Sequence, residues 1–436
     1  MKMKRKFLSF LSVLSICFST SVLTSCKMET FELQYTLLED GSGYSVTYVG
    51  NEDNGSLGFI SNINEIVIPA EYNSKPVLEI ADGAFDNERF QKTKSIVIPD
   101  SVIKIGDCAF ISCYSLQSIR IPASVISIGE NVFNLCESLK SIEVDSNNKY
   151  YDSRDNCNAL IETSSNTLIR GCINTKIPAE ITAIGAHAFA CCKTLKEITI
   201  PVNVTSIGFA AFSQCLSLEN VYYQGTINDW CNISLNSIES QPMIWAEHFL
   251  MLDSNSEYYE VTKIEIPEEI TAIGDFQFNS FANVTNIVLH DNITSIGSCA
   301  FENCSSLKNI NIPNSVTSIS ISVFKNCISL TNITFPNCLT NIGDYMFSHC
   351  ELLQSITIPS SVISIGWYSF EGCSSLESII IPDSVTSINS WAFEGCISLT
   401  NVYYTGSEEQ WDVITIGSDN EELTSATITY NYVPEK

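Results

Sequence analysis

Residues 360–382 read "SSVISIGWYSFEGCSSLESIIIP", and residues 383–405 follow with "DSVTSINSWAFEGCISLTNVYYT". The second block repeats the first in apolar pattern, in the Phe-Glu-Gly-Cys core and in length. Aligning the chain on the proline that closes each block exposes an array. Pro99, Pro122, Pro178, Pro201, Pro267, Pro313, Pro336, Pro359 and Pro382 share one register, with His290 standing in between Pro267 and Pro313. Within unbroken stretches the step is 23 residues. Eleven residues after each anchor comes a phenylalanine: Phe110, Phe133, Phe189, Phe212, Phe278, Phe301, Phe324, Phe347, Phe370 and Phe393. Three further on comes a cysteine, with Phe281 alone breaking that column.

Each part of the unit has a physical reading. Leu376, Ile379 and Ile381 alternate with more tolerant positions, which predicts a short strand with one buried face. Pro382 ends it, because proline cannot donate to a ladder. Ile365, Phe370, Cys373 and Leu376 sit three to five residues apart, which predicts a short helical turn with Phe370 inward. Gly366 relieves the corner between the halves, and Ser320 and Asn389 replace that glycine in two units. One unit of this size cannot bury its own faces. Stacking on neighbours both buries them and completes the backbone ladder, so the array predicts a repeat solenoid.

The consensus IxIPxSVxxIGxxAFxxCxSLxx resembles the BspA-like (Treponema-type) leucine-rich repeat, and the resemblance runs from about Gly58 to the C-terminus. Smaller features agree. "AEYNSKPVLEIADGAF" (70–85) resembles that family's first repeat, and "VDSNNKYYDSRDNCNALIETSSNTLIRGC" (144–172) its longer inserted unit. "VYYQGTINDW" (221–230) and "VYYTGSEEQW" (402–411) resemble a recurrent variant. The resemblance implies a leucine-rich-repeat right-handed solenoid, β-rich, with short parallel strands on a concave face and short helical turns on a convex one. It also implies a cell-surface protein used for attachment and recognition.

The organisation expected is a signal at 1–25, a tether and hairpin cap at 26–57, repeats over 58–424 and a cap strand at 425–436. An inserted unit falls near 144–177 and an irregular one near 225–262. The start carries Lys2, Lys4, Arg5 and Lys6, then an apolar run, then Leu23-Thr24-Ser25-Cys26. This is the pattern of an export signal, and its end resembles a bacterial lipobox. Lipidation of Cys26 and tethering at a bacterial cell surface or outer membrane are therefore expected, with no later span.

Charge bounds the partners. Lysine and arginine number 22 against 49 acidic residues, a net charge of −27. Phosphates would be repelled, so no nucleic-acid partner is expected. The four histidines (His187, His248, His290 and His349) fall in separated units, so no His-based catalytic group or metal site is expected, and no cofactor. Asp145, Asp152 and Asp155 read as a polar turn rather than a calcium loop. The cysteine column is expected to pack as free thiols, since parallel side chains point the same way.

Two surfaces run along the array. Outward positions of the strand face include Asn309, Asn311, Asn332, Thr334, Ser355 and Thr357, a platform of amides and hydroxyls. A second stripe, nine residues after the anchors, carries Tyr345, Tyr368 and Trp391, with Trp367 beside Tyr368. Exposed aromatics in a row suit sugars or a protein anchor. Ordinary strand polarity and packing of rings over one another are the alternatives. The expectation is a monomeric, non-enzymatic surface protein recognising a host or neighbouring-cell protein. The runner-up is glycan binding or a structural envelope role.

Overall fold

A computed structural model describes residues 33–48, 64–86 and 92–434, so Cys26 and the expected signal lie outside the described residues. Each coil contributes to three ladders. The first is the predicted strand: Ser355–Thr357, Ser378–Ile381, Asn401–Tyr404 and Thr427–Thr429 lie side by side in parallel. Its register repeats the sequence step, with Ile356 opposite Ile379 and Ile379 opposite Val402. Ile379 and Ile381 are fully buried, as the alternation requires.

The second ladder is a two-residue strand just before the corner glycine. Asn341–Ile342, Ser364–Ile365, Ser387–Ile388 and Thr415–Ile416 form a parallel sheet of their own. The third ladder occupies the segment predicted as a helical turn, and here the chain departs from that expectation. It makes successive tight turns. Tyr368 and Gly372 have φ of 55° and 67°, and the matching residues of the other coils are also left-handed. A helix cannot hold such residues. The turns instead aim alternate backbone N–H groups at the next coil: Phe347 donates to Ser369 O at 2.7 Å and Phe370 to Ala392 O at 2.8 Å. The spacing of apolar residues is the same in both geometries, and the intercoil bonds decide between them.

Inside the turns the phenylalanines stack. Phe324, Phe347, Phe370 and Phe393 have successive centroid separations of 5.6, 5.5 and 5.2 Å and lie within 18° of parallel. Each is fully buried, which stabilises by about 2–3 kcal/mol per side chain. The cysteine column behaves as a small hydrophobe with a donor. Cys350, Cys373 and Cys396 give their thiol hydrogens to Phe324, Phe347 and Phe370 O at 3.2, 3.2 and 3.1 Å. Every cysteine among the described residues is a free thiol.

Interruptions fall where the consensus fails. Glu71–Tyr72 and Lys75–Pro76 close a tight hairpin through Asn73 and Ser74, both left-handed. Tyr151–Asp152, Leu160–Glu162 and Thr167–Arg170 run antiparallel, and the last of them restarts parallel pairing at Ala183–Ile184. A helix over Ile227–Cys231, closed by a Thr226/Asp229 capping box, fills the irregular unit. Trp230 from that helix is fully buried and donates to Gln277 O at 2.9 Å. At the chain ends, Leu33–Leu37 and Tyr44–Tyr48 form a hairpin beside Lys75–Ile80, and Thr427–Thr429 adds to the first ladder. The buried apolar residues divide into two clusters that meet at the inserted unit. Among the described residues no helix is long and apolar enough to cross a membrane.

Candidate functional site

The open strand face arises from the pleat. In Asn309–Asn311, Asn332–Thr334 and Ser355–Thr357 the outer two residues of each strand are exposed and the isoleucine between them points inward. Parallel pairing sets Asn309 beside Asn332 and Asn311 beside Thr334. Thr334 Oγ1 donates to Asn311 Oδ1, so these side chains link along the axis of the array. The ladder is not continuous across all six residues. Asn309 to Thr334 close one four-stranded sheet, and Ser355 and Thr357 open the next. Beyond them Ile380 and Tyr403 follow Thr357 in one outward column, while Ser378 and Asn401 continue the polar column of Ser355.

The aromatic stripe lies on the turn side of the coil, apart from the strand face. Tyr345 and Tyr368 stack at 4.8 Å and 8°, and Tyr368 and Trp391 at 5.2 Å and 4°. The Lys325 ammonium sits 5.5 Å from the Tyr345 ring centroid. All three ring-bearing residues are left-handed, with φ of 57°, 55° and 60°. A bulky side chain pays for that conformation, and ring-on-ring contact offsets the cost, worth about 0.5–1.5 kcal/mol per pair beyond area. Both faces of Tyr368 are thereby used inside the protein. Trp367 differs: it is 53 % exposed, and its backbone N–H donates to Asp344 Oδ1 at 2.8 Å.

Other tempting groups are engaged locally. Asp145 pairs with Arg120, and Asp152 accepts from Arg154 Nη2 at 2.6 Å. His248 and His290 face Glu260 and Glu268 in different coils. Among the described residues no three His, Cys, Asp or Glu side chains gather as a metal site would need.

The stacking of Tyr345, Tyr368 and Trp391 is the alternative that the sequence offered for the stripe. One feature escaped the sequence: a cleft of about 560 Å³ beside the inserted unit, lined by Phe133, Arg170 and His187 among others. Its only sequence signal was an arginine ending the inserted segment.

Comparison with known proteins bears on the fold. A leucine rich cell surface protein from Faecalibacterium prausnitzii A2-165 is similar, at 24% identity and a TM-score of 0.53, over 91% of this chain and 98% of that one. A leucine-rich repeat protein from Eubacterium ventriosum is similar at 17% identity and a TM-score of 0.52, over 93% and 94%. A comparison with curated proteins finds no match. The BspA type leucine rich repeat region matches residues 58–163, 161–244, 254–361 and 340–428, which spans the phenylalanine and cysteine columns described above. The chain therefore belongs to the BspA-type leucine-rich repeat family.

Proposed function

We propose that this chain is a non-enzymatic recognition scaffold, exported and tethered through Cys26, that binds a partner protein along its open strand face. The observation that carries this reading is the row of exposed amides and hydroxyls held one coil apart by parallel pairing. Such a row offers donors and acceptors at a fixed spacing of about 4.8 Å, which suits an extended polypeptide more than a small molecule. The acidic balance, −27 for the chain, favours partners that are not themselves strongly acidic overall. The family's repeat architecture supports a scaffold role, because solenoids present long continuous surfaces.

A glycan reading rests on Trp367, the aromatic side chain of the stripe with a face open to solvent. The test is binding of the purified chain to immobilised extracellular proteins and glycans at two salt concentrations. Asn311→Arg with Thr334→Arg is expected to abolish a protein hit at least tenfold, and Trp367→Ala to leave it unchanged. Loss only with Trp367→Ala, on a sugar, would transfer the function to the turn side. Radiolabelled lipid incorporation lost in Cys26→Ala checks the tether independently.

A further inference from the structure

Among the described residues the phenylalanine column of the turn ladder has one N–H without an acceptor. In this column the phenylalanine N–H donates to the next coil: Phe110 to Val132 O, Phe189 to Ala211 O, Phe301 to Val323 O. Where the array is interrupted or ends, substitutes appear. Phe212 donates to Glu239 O of the irregular unit. Phe393 donates to Asn420 Oδ1, and Gly395 to Glu422 Oε1, both at 3.0 Å. Phe133 is the exception. The inserted unit that follows supplies no turn, and neither Phe133 N–H nor Asn131 N–H has an acceptor among the described residues. Leu135, two residues on, falls back on its neighbour Asn134 Oδ1. Phe133 is only 2% exposed, and a buried N–H without a partner is rare because it forfeits its hydration.

The opposite wall of the same cleft carries a second anomaly. Arg170 is 4% exposed. Its Nη1 and Nη2 donate to His187 O and Ala190 O at 2.8 and 3.0 Å, the second a carbonyl that a preceding turn would have covered. Its Nε is buried with no partner, and Arg170 joins none of the ion pairs found among the described residues. A buried guanidinium without a carboxylate is unusual anywhere, and more so in a chain of charge −27. Burial, and then the charge of Arg170, push the His187 pKa down, so this ring adds no second cation at neutral pH. Two acids also line the cleft. Asp107 Oδ1 is occupied by the Glu130 N–H at 2.8 Å, and Glu130 itself is exposed to water.

We propose that this cleft is a carboxylate-binding site, with the Phe133 and Asn131 N–H groups on one wall and the Arg170 guanidinium on the other. The far end of the array shows how side-chain oxygens can cover such donors: Asn420 Oδ1 accepts from Phe393 N–H, the counterpart of Phe133, and Glu422 Oε1 accepts from Gly395 N–H, the counterpart of Leu135. At Phe133 the donors are in place and the acceptor comes from outside. The site lies off the open strand face, so its fate is independent of partner binding there.

The test uses the full chain with three probes: the blocked pentapeptide Ser-Asp-Asn-Glu-Glu, its neutral counterpart Ser-Asn-Asn-Gln-Gln, and glutarate. Calorimetry reads affinity, and hydrogen–deuterium exchange reads the segment 131–135. The acidic peptide is expected to bind at least tenfold more tightly than the neutral one and to slow exchange at 131–135. Arg170→Met is expected to lose tenfold or more. Glu130→Gln, on an exposed side chain, is expected to tighten binding two- to fivefold, and it keeps the test open should Arg170→Met not fold. Glutarate binding with the same protection would assign the site to small dicarboxylates rather than peptide segments. Equal binding of acidic and neutral peptides, or no protection at 131–135 with either acid, overturns the proposal.

Discussion

At the scale of the residue, the cysteine column shows how one side chain serves two needs. Cys373 is fully buried, and its thiol hydrogen satisfies Phe347 O at 3.2 Å. Burial pushes the thiols of Cys136, Cys304 and Cys373 up to about 12, from 9.0. In the unfolded chain those thiols ionise near their ordinary value, and in the folded chain they keep their protons. The folded pKa is the higher one, so their contribution is fully present below pH 9 and is lost as pH rises from 9 toward 12. Each thiol adds a slope of about 1.4 kcal/mol per pH unit in that window. The urea midpoint should therefore stay level from pH 6 to 8.5 and fall steeply above pH 9. Cys373→Ala should cost about 1–2 kcal/mol at pH 7 and show a shallower alkaline decline. An unchanged alkaline slope in that variant would show that the column does not titrate this way.

At the scale of the element, the corner between the short strand and the turn is set by how closely consecutive coils approach. A Cβ on Gly366 would lie 2.5 Å from Asp344 Oδ1 and 2.8 Å from Asp344 N. A Cβ on Gly343 would meet Ser320 O at 3.3 Å and the tip of Met346 at 3.4 Å. The same substitution should thus differ in cost by position. Gly366→Ala is expected to destabilise by about 2–4 kcal/mol, because backbone must move. Gly343→Ala is expected to stay within about 1 kcal/mol, with lost unfolded-state entropy offsetting a mild contact. Chemical denaturation of the two variants measures the contrast.

The same scale explains what could be seen in the sequence. Leu376, Ile379 and Ile381 announce a strand because their alternation belongs to no helix. Asn311 and Thr334 are legible as outward residues for the same reason. The short strand Ser364–Ile365 is too brief to carry a period. Phe370, Cys373 and Leu376 fit a helix and a turn ladder equally well, and left-handed residues such as Tyr368 decide between them. The Phe133–Arg170 cleft was hidden because the Phe133 N–H is a backbone group, which has no letter in the sequence, and because nothing in the sequence shows that Arg170 is buried.

At the scale of the whole molecule, the array behaves as neighbours coupled along one axis. The core divides at the inserted unit into a smaller N-terminal cluster and a larger C-terminal one. Unfolding is therefore expected to depart from two-state behaviour. Backbone exchange should rise in residues 95–142 at lower denaturant than in 284–402, because the smaller cluster has fewer neighbours to hold it. A single coincident transition by fluorescence, circular dichroism and exchange would contradict this division.

The intercoil bonds also make length a free variable of the design. From Phe324 to Phe393 the turns meet through the same atoms, offset by 23 residues: Cys350 to Phe324 repeats as Cys373 to Phe347, and Asn326 to Ser348 as His349 to Glu371. Excising residues 337–359 would join Pro336 to Ser360 and leave all three ladders in phase. The product would be a shorter ruler with the same cross-section, its reach reduced by about 4.8 Å. Recombination between neighbouring copies can thus lengthen or shorten such a protein in whole coils. The seam at Arg170 and the two ends carry contacts that occur once, and they stay fixed while the span between them changes.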